Sequence, residues 1–207
     1  MGHMKSDILR PPDWDGDTAI VLAHGAGQGM QSPFMTYFHT ELAARGFLTV
    51  RFNFDYMDAK RRMPDPQPKL QARYRSVVDE VRADHHPKRL IIGGKSMGGR
   101  VASYIAGDTP GVNGLVFLGY PLHPPGKQDK LRDQHLYSLK LPMLFLSGTK
   151  DTFAERALLG NVVAKIGTNA TLVWFEGADH SLKRGRADTQ SLRAAADTIE
   201  TWIRGLS

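Results

Sequence analysis

Gly94-Lys95-Ser96-Met97-Gly98 follows directly on the apolar run Leu90-Ile91-Ile92, and this junction constrains the fold more than any other part of the chain. It has the form of a nucleophile elbow: strand, abrupt turn, serine at the tip, then helix. The backbone of such a turn is strained, and side chains two residues to either side of the serine would collide with the strand and helix they join. Glycine, without a Cβ, tolerates both the dihedrals and the close approach. The pentapeptide alone is modest evidence, because 21 of the 207 residues are glycine and short glycine patterns recur by chance. Context has to carry the argument.

A serine hydroxyl is a poor nucleophile until a base takes its proton, and the base needs an acid to orient it. Leu141 to Asp151 is an apolar run, then a glycine turn, then an acid; Thr171 to His180 repeats that pattern and ends in the only histidine after Asp151. The order Ser96, Asp151, His180 therefore reads as nucleophile, orienting acid and general base at successive strand ends. Asp151 has a second reading as the N-cap of a helix starting near Thr152, and it could fill both roles. His180 has the plain alternative of an ordinary loop histidine. Asp179 adjoins His180, and neighbouring residues rarely point at each other, so it reads as a loop or capping residue.

Acyl transfer also needs backbone N–H groups aimed at the developing oxyanion. Met97, immediately after the nucleophile, is one candidate donor. The second should come from the turn after an earlier strand, here Thr18–Ala23 followed by His24-Gly25-Ala26-Gly27, which makes Ala26 or Gly27 the donor. His24 is expected to brace that turn rather than take part in chemistry.

Rival motifs fail. A phosphate-binding P-loop wants a glycine where Arg89 stands and a loop where residues 90–92 are strand-like. The dinucleotide fingerprint wants its last glycine where Met30 stands. No His and carboxylate cluster has metal-ligand spacing, so no metal and no cofactor is expected.

At 207 residues the chain is long enough for one domain with a full core, and it is expected to form a single domain over 1–207. Met1-Gly2-His3 reads as an expression scar before a native start near Met4, and with no export leader the cytoplasm is the expected compartment. No apolar run approaches the ~20 residues of a membrane span. The net charge of +6 gathers around Lys60, Arg61, Arg62, Lys69, Arg73, Arg75 and Arg82. It reads as a solvated helix face, or else a field for acidic partners; no nucleic-acid motif accompanies it.

Short apolar runs alternate with longer helix-like ones, the pattern of a parallel sheet with helices on both faces. Strands are expected at 18–23, 48–52, 90–92, 115–118, 142–146 and 171–175. Helices are expected from Pro33 to Leu42, and over 69–84, 98–106, 152–165 and 188–204. The connection over 120–140 is too short for a helical cap, so the site should be open with a minimal lid.

Together the elbow, the His-Gly-Ala-Gly turn and the Asp151 and His180 strand ends resemble the α/β-hydrolase superfamily over nearly the whole chain. The small size is similar to its dienelactone-hydrolase-related group, and Gly119 to Lys127 resembles a segment of an uncharacterised branch that includes a chromatin acetyltransferase complex subunit. The resemblance implies an α/β-hydrolase fold, a mostly parallel sheet of about six or seven strands trimmed at its start. It implies a serine hydrolase (carboxylesterase-like) acting on a small ester or thioester through an acyl-enzyme, or alternatively a scaffold acting through protein binding. Dienelactone hydrolases proper use a cysteine nucleophile, and this chain has no cysteine, so their substrate does not carry over. Tyr120, His123 and Lys127 are expected to line or cover the substrate pocket, because their loop leaves the strand beside the elbow's. The alternative is that the prolines hold a rigid loop with His123 packed inside it.

Overall fold

Strands that are apolar on both sides need cover on both faces of their sheet, and helices supply it. In the computed structural model, which describes residues 6–206, the strands are β1 (Ser6–Leu9), β2 (Thr18–Ala23), β3 (Leu48–Phe52), β4 (Arg89–Lys95), β5 (Val112–Leu118), β6 (Met143–Gly148) and β7 (Ala170–Phe175). The supposed expression scar at 1–3 lies outside the described residues. The sheet order is β1-β3-β2-β4-β5-β6-β7; β1 runs antiparallel to β3 and every other pairing is parallel.

The helices are α1 (Pro33–Ala44), α2 (Asp55–Asp58), α3 (Gln67–His85), α4 (Met97–Ile105), α5 (Arg156–Ile166) and α6 (Gln190–Arg204). Alternate residues of each strand face opposite sides. Val21 and Phe145 pack with Tyr74 of α3, Val101 of α4 and Leu159 of α5, while Ile20 and Leu144 pack with Phe38 of α1 and Ile199 of α6. Among the described residues no helix is long and apolar enough to cross a membrane.

Three boundaries differ from expectation, each for a local reason. The α3 helix starts at Gln67, with Pro68 in its first turn, where the missing N–H has no acceptor to lose. The α5 helix starts only at Arg156, because Asp151 Oδ1 accepts a hydrogen bond from Phe153 N–H and holds 151–154 in a turn instead. The edge strand β1 has no signal of its own beyond four residues, and it joins β3 rather than forming a hairpin with β2. The segment between β5 and β6 is irregular apart from a 3-10 turn at Gln134–Ser138, and buried Tyr120, Leu122, Leu136 and Leu139 pin it to the core. No cap rises over the sheet edge.

Parallel pairing brings the strand carboxyl ends into one row: Ala23 lies beside Gly94, Lys95 beside Leu118, and Gly148 beside Phe175. The strand order reverses around β2 and β4, the place where open α/β sheets form their crevice.

Candidate active site

Between β4 and α4 the chain turns at Ser96 with φ 49° and ψ −115°, a left-handed conformation for a residue with a side chain. The flanking glycines are needed, but for a contact other than the one expected. A Cβ on Gly94 would stand 2.1 Å from the carbonyl oxygen of Ala23, and one on Gly98 would stand 2.2 Å from the same oxygen. The collision is with the end of the neighbouring strand β2, not with the strand and helix that the elbow joins.

Ser96 Oγ lies 2.8 Å from His180 Nε2, and His180 Nδ1 lies 2.8 Å from Asp151 Oδ2. A carboxylate only accepts, so Nδ1 carries the ring proton and Nε2 is left to accept from the serine hydroxyl. The Asp151 side chain is fully buried, and with its second oxygen bonded to Phe153 N–H it orients the histidine and caps the following turn at once. The Phe153 ring covers the imidazole at 4.4 Å between centroids. Burial lowers the His180 pKa and Lys95 pushes it the same way, against the hydrogen bond that the ring donates to Asp151, so the neutral ring is favoured at pH 7. Asp179 is a loop-closing residue: its Oδ1 accepts from the N–H groups of Ser181 and Lys183.

Lys95, inside the elbow, has a place that sequence reasoning missed. Its stem runs against Gly25, and its Nζ passes under Gly119 to donate to the carbonyl oxygen of His180. The ammonium also lies 5.2 Å from the Phe34 ring centroid. The residue is only 5% exposed, and burial brings its pKa down to about 8. Gly119, at φ +72°, is what leaves room: a Cβ there would meet the His180 carbonyl oxygen at 2.6 Å. A lysine between Gly94 and Ser96, in a turn that is buried, is the only trace of this brace in the sequence.

Of the two expected donors after β2, Gly27 N–H is drawn to the Tyr56 hydroxyl at 3.4 Å, whereas Ala26 lines the cavity beside Ser96 and its N–H makes no hydrogen bond among the described residues. Met97 begins α4, where a backbone N–H has no acceptor within the helix. His24 is buried, with Nδ1 2.8 Å from Gly25 O and Nε2 accepting from Phe54 N–H at 3.2 Å. Burial lowers its pKa, and both nitrogens are committed to holding the turn.

The cavity at Ser96 encloses about 310 Å³, and its walls include Met97, Arg100, Tyr104, Pro121, Arg132 and Phe153. The expectation that Tyr120, His123 and Lys127 line it is corrected. Tyr120 is buried beneath, its hydroxyl donating to Arg132 O at 2.6 Å. His123 is 1% exposed and packs inside its loop, with Nδ1 3.0 Å from Pro124 O and Nε2 accepting from Glu155 N–H at 3.1 Å. Lys127 sits in an exposed surface turn closed onto Pro124 O. The prolines direct the segment outward at Pro124, so the cavity wall is formed by Pro121 and by Arg132 on its return. Among the described residues no three His, Cys, Asp or Glu side chains converge as metal ligands would.

Residues 16–204 match the family described as Alpha/beta hydrolase domain. A curated relative, the uncharacterised peptidase YuxL of Bacillus subtilis, is 27% identical over 241 aligned residues covering 95% of this chain and 36% of the relative; the chain thus spans about a third of that protein's length. Among solved structures, a dienelactone hydrolase from Anabaena variabilis superposes with a TM-score of 0.77 at 20% identity, covering 98% of this chain and 92% of the other. A serine hydrolase without a lid from Xanthomonas campestris superposes with a TM-score of 0.75 at 23% identity, covering 95% and 89%. At such identities the superpositions establish the fold.

Proposed function

The chain belongs to the alpha/beta hydrolase domain family, and from that premise we propose that it is a serine hydrolase cleaving a small carboxylic ester or thioester through an acyl-enzyme. The observation that carries this reading is the unbroken hydrogen-bonded run from Ser96 through His180 to Asp151, opening onto a cavity.

In this mechanism His180 Nε2 takes the hydroxyl proton as Ser96 Oγ attacks the carbonyl carbon. Asp151 holds the ring and stabilises the imidazolium that forms. The oxyanion would be received by the N–H groups of Met97 and Ala26, which follow the neighbouring strands β4 and β2, and each such donor is worth about 3 kcal/mol. His180 returns the proton to the leaving alcohol or thiol. Water then enters and attacks the acyl carbon while giving a proton to His180. The histidine passes that proton to Ser96 Oγ as the C–O bond to the serine breaks, releasing the acid with Ser96 and neutral His180 restored.

An amide substrate, as the name of the Bacillus relative suggests for that protein, would use the same groups with an amine leaving. The small cavity and the absence of a cap favour a small ester. A protein-binding scaffold would have no use for an aligned proton-transfer run, which speaks for turnover over that alternative. The test is Ser96→Ala: it should abolish both p-nitrophenyl ester turnover and labelling by a fluorophosphonate while the unfolding midpoint stays in place. Retained turnover in the variant, or labelling at another residue, would sink the assignment.

A further inference from the structure

Ser96, Arg100 and Tyr104 recur every four residues and so share the face of α4 that lines the cavity. Arg132 enters the same cavity from the irregular segment before β6. Its backbone is fixed on both sides, by N–H to Leu122 O at 2.8 Å and by the Tyr120 hydroxyl on its own carbonyl at 2.6 Å. Among the described residues neither guanidinium makes an ion pair, and Arg100 Nε is buried with no hydrogen-bond partner.

The nearby carboxylates are already engaged. Asp65, on the cavity wall, is paired with Arg61 through Oδ1 at 2.6 Å and with Lys69 through Oδ2 at 3.5 Å, although Oδ2 accepts no hydrogen bond. Asp133 is buried and accepts from the Tyr137 hydroxyl at 2.5 Å. The two arginines feel each other: the Arg132 pKa is lowered by burial and then by the charge of Arg100, and His135 beside them is pushed down to about 4 by burial and by Arg100. A solvated surface face would explain two exposed arginines. These are half-buried and line one cavity close enough to repel, an arrangement that an anion between them would relieve.

Building on the serine-hydrolase reading above, we infer that Arg100 and Arg132 form an anion subsite, and that the ester cleaved at Ser96 carries a carboxylate. Guanidinium groups match a carboxylate through paired N–H donors. Arg100 stands one helical turn, about 6 Å, along α4 from Ser96, and its own reach adds to that. A carboxylate several bonds from the scissile carbonyl therefore meets both arginines while the carbonyl meets Ser96.

The experiment compares esters that differ only in that charge, at low ionic strength. On the acyl side, mono-p-nitrophenyl adipate is set against p-nitrophenyl methyl adipate; on the leaving-group side, 4-acetoxybenzoate is set against its methyl ester. The charged member of one pair should show kcat/KM higher by about tenfold to a hundredfold, and that pair identifies the half of the substrate the subsite holds. In Arg100→Gln and Arg132→Gln the ratio within that pair should fall toward one. Equal rates within both pairs for the wild type overturn the inference, and so does a preference that persists unchanged in the double variant. The wild-type comparison decides even if a variant does not fold. If the methyl esters turn over and Ser96 is labelled but no charge preference appears, only the subsite falls; if nothing turns over and nothing is labelled, the hydrolase reading falls with it.

Discussion

Replacing Lys95 with methionine should separate what the elbow lysine does for activity from what it does to stability. The Lys95 pKa drops from 10.5 in a free side chain to about 8 in the fold, so keeping the ammonium buried costs about 3 kcal/mol. Below pH 8 both folded and unfolded chains hold the proton and that cost is fully present. Between about 8 and 10.5 the unfolded chain still holds a proton that the folded one has released, so this group makes stability rise with pH. By about pH 9.5 the wild type should have gained about 2 kcal/mol relative to Lys95→Met, which has no proton to lose. Methionine keeps the apolar stem against Gly25 but leaves the His180 carbonyl without its donor. That loss, about 1.5–3 kcal/mol for a bond to a charged donor, nearly cancels the relief at pH 7. The two proteins should therefore unfold within about 1 kcal/mol of each other in urea at pH 7, and the wild type should lead by about 2 kcal/mol at pH 9.5. Turnover should fall at both pH values, by roughly 10- to 100-fold, because the segment that aims His180 at Ser96 has lost its tether. A stability gap that does not move with pH would refute the buried-charge argument. Full activity in the variant would refute the role of the tether.

Other expectations follow from single contacts. Gly98→Ala places a methyl group 2.2 Å from the Ala23 carbonyl, so it should lower stability by about 2–3 kcal/mol in denaturant unfolding and reduce Ser96 labelling. His123→Ala removes the acceptor of Glu155 N–H and should cost about 2–3 kcal/mol; because it loosens the turn that carries Asp151, kcat should drop more than KM rises. Asp151→Asn would let the wrong histidine tautomer form and should cut kcat/KM by about 10³–10⁴-fold, with the fold retained by circular dichroism. On the proposed mechanism turnover needs neutral His180, whose pKa is lowered by burial, so kcat/KM should climb with pH along an acid limb centred below 6.5; a midpoint above 6.5 would contradict the burial of the ring.

The groups around Ser96 were legible because of how a parallel sheet is built. Parallel strands of such a sheet end at the same edge, so residues just past nearby strands can meet whatever the intervening chain does. Ser96 follows β4, and Asp151 and His180 follow the adjacent pair β6 and β7, with β5 lying between. Ser96, Asp151 and His180 needed only three strand ends and a chain order. The cavity wall was not legible, because it depends on where an irregular segment turns. Tyr120, His123 and Lys127 leave β5 beside the elbow, yet the buried side chains of Tyr120 and Leu122 anchor the segment below the cavity, and the wall is closed by Arg132 as it returns. No periodicity marks such a residue. The elbow pattern states only what the turn demands, serine at the tip and glycine where β2 crowds it, and it leaves other positions open. Those open positions carry what is particular to this chain: Lys95 donates to the His180 carbonyl oxygen, and Arg100, just past the second glycine pair, lines the cavity at Ser96. Both lie within four residues of Ser96, so on the proposed reading the rigidity that holds the nucleophile would also hold the group that tethers its base and a group that selects its substrate. Exchanging either residue should therefore alter catalysis or selectivity without moving the serine, which is why labelling of Ser96 and the turnover ratios have to be measured on the same variants.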